Sequence, residues 1–244
     1  MELGLELFTK EGGEFLFRWG HVLAGITWIG LLYYFNFVQV PAFAEMEAGA
    51  RTNAIDKLAS RALWWFRWSA LATALMGFMI LYFKDQLTDM EWAQKPSGVS
   101  IMLGILLGLV MLGNVWGVIY RNQKVVIANA RNVQAGGEAN PDAPACGRSA
   151  LMASRQNMIF SFPMLMFMIG TAHFFYNFNA ENRSAYYGIT VLILIVLELN
   201  CLGVIGGKGQ NFTNWMYESH KNAIISASVL LVIYYALFEC LMKP

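Results

Sequence analysis

The segment VSIMLGILLGLVMLGNVWGVIY, residues 99–120, holds no charged side chain in twenty-two positions. A helix of about twenty apolar residues can cross the hydrocarbon of a bilayer, because every backbone N–H and C=O is then paired within the segment. Comparable stretches recur at about 17–40, 62–83, 151–176, 186–205 and 220–241, with polar connections between them. The expected fold class is therefore all-α: one polytopic membrane bundle of six transmembrane helices over residues 1–244. With 57% hydrophobic and only 14% charged residues, the chain does not suit a soluble α/β domain of this length.

Other partners and cofactors are set aside on similar grounds. A net charge of +1 with scattered basic residues gives no footprint for nucleic acid. Cys146, Cys201 and Cys240 stand far apart, without CxxC or CxxCH, so neither covalent haem nor a zinc or iron–sulfur site is encoded by them. The N-terminal residues lack the basic, apolar and small-residue regions of a removable signal peptide, so the first apolar helix is expected to direct insertion. Residues 1–16 alternate leucines with glutamates, a short amphipathic lead suited to a membrane surface. The first helix is expected to stop at Pro41, and residues 45–60 to form a polar loop.

Orientation follows from Lys and Arg. The N-terminus, second and fourth loops and C-terminus carry six of them; the first, third and fifth loops with their flanks carry eleven. The positive-inside bias places both termini outside, on the periplasmic side of a bacterial inner membrane.

Three histidines occur, and two of them share a leaflet in this topology. His21 lies three residues past Arg18 and His173 four before Asn177, each about one turn below the polar boundary. Gly25 stacks beside His21 and Gly170 beside His173, removing bulk where a flat macrocycle would lie. Trp28 and Met166 continue the two faces, and Arg18, Arg183 and Lys84 stand on the side where propionates would emerge. Because a neutral imidazole is a good iron ligand, the pattern predicts one haem b held by His21 and His173, with Gly25, Gly170, Trp28 and Arg18 around it. The plainer alternative is that each histidine hydrogen-bonds locally and only fixes helix packing. His220, at the start of the sixth span, belongs to the inner side.

Other polar residues within spans are Asn36, Gln39, Asn114, Glu198 and Asn200. Glu198 is the costliest, with His220 or Arg155 as expected partners, and reads either as a proton relay or quinone contact or as an interhelical hydrogen bond. Pro163 frees the carbonyl of Ile159, which Ser161 is placed to help satisfy. Gly104, Gly108 and Gly113 offer close helix approach, and Met164, Met166 and Met168 read as adaptable packing.

Taken together, HVLAGITWIGLLYY in the first span, GNVWGVIYRNQKVV at the end of the third and SRQNMIFSFPMLMFMIGTAHF in the fourth resemble the membrane domain of the urate hydroxylase family known as PuuD, the urate oxidase N-terminal domain. The resemblance implies an integral membrane part of a respiratory-linked oxidoreductase that passes electrons to cytochrome c. His21 and His173 fall at histidine positions of those motifs, and Asn114, Trp116 and Gln123 fall in the third-span motif. The family's C-terminal cytochrome c domain with its CxxCH has no counterpart in this sequence, so the resemblance implies a separate c-type cytochrome or a larger respiratory complex as partner. Three functions follow: a cytochrome b-like electron-transfer subunit, a membrane enzyme oxidising urate or another purine, and a cofactor-free accessory subunit. Against the enzyme, no constellation of acid, base and nucleophile can be assembled from the outward loops.

Overall fold

The computed structural model describes residues 6–242. Six long helices carry the chain: α1 (Lys10–Glu45), α2 (Ala48–Phe83), α3 (Pro96–Gln134), α4 (Ala143–His173), α5 (Arg183–Cys201) and α6 (His220–Leu241). No strand occurs among the described residues. Start signals are local: Thr9 Oγ1 accepts from Gly12 N at 3.2 Å before α1, Pro96 occupies the first turn of α3, and Ser219 Oγ accepts from Asn222 N at 3.0 Å before α6.

Five of these helices are long and apolar enough to cross a membrane; α4 is the exception. The reason is its content of Arg155, Gln156, Asn157, Ser161 and Pro163, and its place in the bundle explains how such a helix is tolerated. Sixteen of its thirty-one residues are buried, Arg155, Gln156 and Asn157 among them. It packs against α3 and α6 along its length and touches α1 and α5. A helix enclosed by others meets protein instead of lipid, so its polar groups need internal partners rather than an apolar surface. α1 and α2 form a closely packed pair beside this core.

Several boundaries differ from the sequence expectation. α1 does not end at Pro41 but runs to Glu45, because a π-helical turn at Tyr34–Gln39 precedes the proline. There Val40 N bonds Phe35 O, five residues back, which re-registers the ladder around the donor that Pro41 lacks. Residues 45–60 are mostly helix rather than loop, broken only at Met46–Glu47. Asp56 in this stretch is buried and bonds Arg131 Nε at 2.5 Å, tying the start of α2 to the end of α3. Two more π turns, Ile55–Ala59 and Asn114–Ile119, lie in α2 and α3. The glycine-rich segment after α5 is organised too: Gly203, Gly206 and Gly207 adopt positive φ, and buried Asn214 donates to the carbonyls of Gly207 and Gly209.

The end of the bundle where α4 finishes is filled by aromatics. Phe167 and Phe175 stack at 4.9 Å, Phe238 of α6 lies 4.6 Å from Phe175, and Tyr186 of α5 lies 5.2 Å from Phe238. Ser100 Oγ of α3 donates to Phe167 O at 2.8 Å, and Thr171 Oγ1 donates to Ser100 Oγ at 3.1 Å. Of Gly104, Gly108 and Gly113, only Gly104 makes a close approach to another helix: a Cβ there would lie 3.0 Å from Met168 Cγ, whereas Gly108 and Gly113 face nothing within 4 Å. Gly104→Leu is accordingly expected to wedge α3 from α4 and cost about 1–3 kcal/mol. Thermal unfolding in detergent checks this, with Gly108→Leu leaving the midpoint unchanged.

Candidate functional site

α1 and α4 run antiparallel, registered by Tyr33 Oη to Ser161 Oγ at 2.9 Å and Asn36 Nδ2 to Ser154 Oγ at 2.9 Å. His21 and His173 each stand twelve residues from the Tyr33–Ser161 bond, about 18 Å along their helices toward the same end of the bundle. His21 is partly buried and turned to α2: its Nδ1 donates to the Thr73 carbonyl at 2.8 Å, and its ring lies over Gly77, where a Cβ would come within 3.1 Å. With Nδ1 so held, Nε2 is the ring atom left to accept or coordinate. His173, the last residue of α4, is exposed.

The residues expected around a macrocycle do other work. Gly25 faces α2, its Cβ direction meeting Thr73 Cγ2 at 3.8 Å. Gly170 is buried under the Phe175 ring, which a Cβ would overlap at 2.3 Å. The notch read from Gly170 is thus taken by Phe175, whereas Thr73 leaves room for a Cβ at Gly25. Trp28 is buried with its Nε1 unpaired, and Arg18 is half-exposed and bonded to Glu14 one turn back. Among the described residues, no group of three or more His, Cys, Asp and Glu is placed to hold a metal ion.

A second constellation lies toward the other end of α4, in the bundle interior. Asn114, at the head of a π turn in α3, donates through Nδ2 to Asn157 Oδ1 at 3.0 Å and to Glu198 Oε2 at 3.1 Å. Asn157 Nδ2 in turn donates to Met111 O at 2.9 Å. Beside it, Gln156 Oε1 accepts from Tyr217 Oη at 2.6 Å, and Arg155 Nη1 donates to the Tyr217 carbonyl. Glu198 is therefore partnered by Asn114, not by His220 or Arg155. Ser161 likewise donates to Met158 O at 2.7 Å rather than to Ile159. The arrangement ties α3, α4, α5 and the turn before α6 through side chains that accept and donate, with Arg155 Nε and Gln156 Nε2 left over.

Sequence reasoning gave Asn114 and Glu198 as polar residues in spans, but it missed Gln156, Asn157 and Tyr217 as their neighbours. The available signal was the run Arg155-Gln156-Asn157, three polar residues in succession inside a segment read as a span. No lipid-facing helix carries such a run at depth, so it marks a helix with protein on every side.

The family described as "Urate oxidase N-terminal" matches residues 87–237, from the connection before α3 into α6, so that His173, Asn114, Asn157 and Glu198 fall inside the match and His21 outside it. Nothing matches among curated proteins or solved structures.

Asn114→Leu removes the donor shared by Asn157 Oδ1 and Glu198 Oε2 and is expected to destabilise the fold by about 1–3 kcal/mol. Glu198→Gln, which keeps an acceptor for Asn114, is expected to cost less. Unfolding midpoints of the two variants, measured in the same detergent, check the order.

Proposed function

Since the chain belongs to the urate oxidase N-terminal family, we propose that it is the membrane module of a urate-hydroxylase-related oxidoreductase, exchanging electrons with a separate c-type cytochrome or a larger respiratory complex. In this reading six helices span a bacterial inner membrane with both termini on the periplasmic side. What supports that topology is the split of Lys and Arg between alternate loops, together with five helices of spanning length and apolarity around an enclosed α4.

The observation that carries the electron-transfer part is His21. Its Nδ1 is fixed by a backbone carbonyl, an arrangement that orients an imidazole and leaves Nε2 free of the Nδ1 proton for coordination. His21 would hold a haem b here, and the group would supply one-electron transfer in a low-dielectric setting. Thr73 holds the imidazole, and Gly77 gives the ring its room. His173 matches His21 in depth and is the second ligand in this proposal, but the fit at its side is incomplete. Phe175 fills the notch at Gly170, and the imidazole of His173 faces outward from the bundle.

A reduced-minus-oxidised difference spectrum of the purified protein tests the cofactor. A b-type α-band that is lost in His21→Ala and shifted or lost in His173→Ala is the expected outcome; no band, or one untouched by both substitutions, overturns the haem. The oxidoreductase reading is tested separately by urate-dependent reduction of added cytochrome c in membranes containing the chain.

A further inference from the structure

A pocket opens between α2 and α3, at the end of the bundle away from His21, and neither the electron-transfer reading nor the polar interior uses it. Leu63, Trp64, Arg67, Tyr120, Gln123 and Lys124 are among the residues that line it. Its walls contain no carboxylate, and neither Arg67 nor Lys124 joins any ion pair among the described residues. The guanidinium of Arg67 is instead stacked over aromatic rings, 4.2 Å from the centroid of Tyr120 and 5.5 Å from that of Trp116, while Lys124 Nζ lies 5.6 Å from Tyr120. Stacking occupies the faces of a guanidinium and leaves its edge donors for an acceptor in the plane. Arg67 Nε is buried with no partner, and so is Trp116 Nε1. Two cations without an ion pair, Arg67 and Lys124, therefore flank one opening.

The depth and surroundings identify the acceptor. Arg67 stands six residues inside Arg61 on α2, and Lys124 lies just beyond Arg121 where α3 turns polar, so the pocket sits at the boundary between hydrocarbon and headgroups. Trp64, Trp65 and Trp68 beside it are 47%, 60% and 42% exposed, the aromatic belt of such a boundary. Leu63, Phe66 and Val115 form its apolar floor. π turns form part of both walls, Ile55–Ala59 just before Ser60 and Asn114–Ile119 through Val115 and Ile119. A cationic cleft between spanning helices, capped by tryptophans and floored by apolar side chains, has the chemistry of a phospholipid site. We propose that Arg67 and Lys124 bind the phosphate of one anionic phospholipid, whose acyl chains run deeper past the exposed ring of Trp68. The site is independent of the urate-hydroxylase reading and of any haem.

The test is lipid binding to the whole protein, purified in detergent and reconstituted in phosphatidylcholine nanodiscs with and without phosphatidylglycerol. Native mass spectrometry is expected to retain phosphatidylglycerol in preference to phosphatidylcholine. Arg67→Gln and Lys124→Gln are each expected to weaken that preference about fivefold, and phosphatidylglycerol should raise the unfolding midpoint of the wild type but not of the double variant. If Arg67→Gln does not fold, Lys124→Gln and Gln123→Leu carry the test, the latter with a smaller loss. Equal retention of both lipids, or a preference unchanged in Lys124→Gln, overturns the proposal. Displacement of the lipid by inorganic phosphate alone would reassign the pocket to a free anion, and displacement by urate would reassign it to a small-molecule site; either outcome also overturns it.

Discussion

The structure depends on one constraint: Arg155, Gln156, Asn157 and Ser161 of α4 must find partners inside a bundle that excludes water. An unsatisfied polar group in such a setting costs on the order of 1–3 kcal/mol, and more for a charge. Each has at least one specific neighbour: the Tyr217 carbonyl for Arg155, the Tyr217 hydroxyl for Gln156, Asn114 and the Met111 carbonyl for Asn157, and Tyr33 and the Met158 carbonyl for Ser161, with Arg155 Nε and Gln156 Nε2 left unpaired. Those partners come from α1, α3 and the turn before α6. The polar run on one helix thereby dictates which helices surround it and at what register, a specification that apolar packing alone supplies poorly because lipid and leucine are equally apolar.

The two ends of the bundle solve different problems. Where α4 ends, Phe167, Phe175, Tyr186 and Phe238 close the interior with a dry aromatic plug, and Gly170 exists to admit Phe175. His21 lies outside that plug, in the α1–α2 pair. Toward the opposite end, α3 runs on to Gln134 and packs against the first half of α4, while Asp56 of α2 reaches Arg131. The π turns at Tyr34–Gln39 and Asn114–Ile119 fall at the level of the polar interior, where a widened backbone re-aims Asn36 and Asn114 toward α4.

Much of this was legible in the residues. Long apolar runs with polar connections specify spanning helices because an unpaired backbone is prohibitive in hydrocarbon, and α6 begins at His220 and ends at Leu241 as its hydropathy indicates. The motif-bearing stretches around Asn114 and from Ser154 to Phe174 identified the family that the match over residues 87–237 establishes. Helix ends were less legible, since a single Pro41 reads as a stop unless the turn before it can change register, and that choice is made by the packing of Phe35 and Asn36.

The sequence by itself determined the all-helical class and the family, and it placed His21 and His173 at the same offset from the Tyr33–Ser161 bond, because length, apolarity and spacing along an antiparallel pair are one-dimensional quantities. Only the tertiary structure decided what each polar side chain and glycine faces. Gly25 and Gly170 have the same spacing logic beside their histidines, yet Gly25 faces Thr73 of α2 with room for a Cβ and Gly170 lies under the ring of Phe175. Glu198 could address several partners by depth, but the azimuth of α5 presents it to Asn114. Rotation about a helix axis is fixed by which neighbours pack on it, and no periodicity within the segment records that.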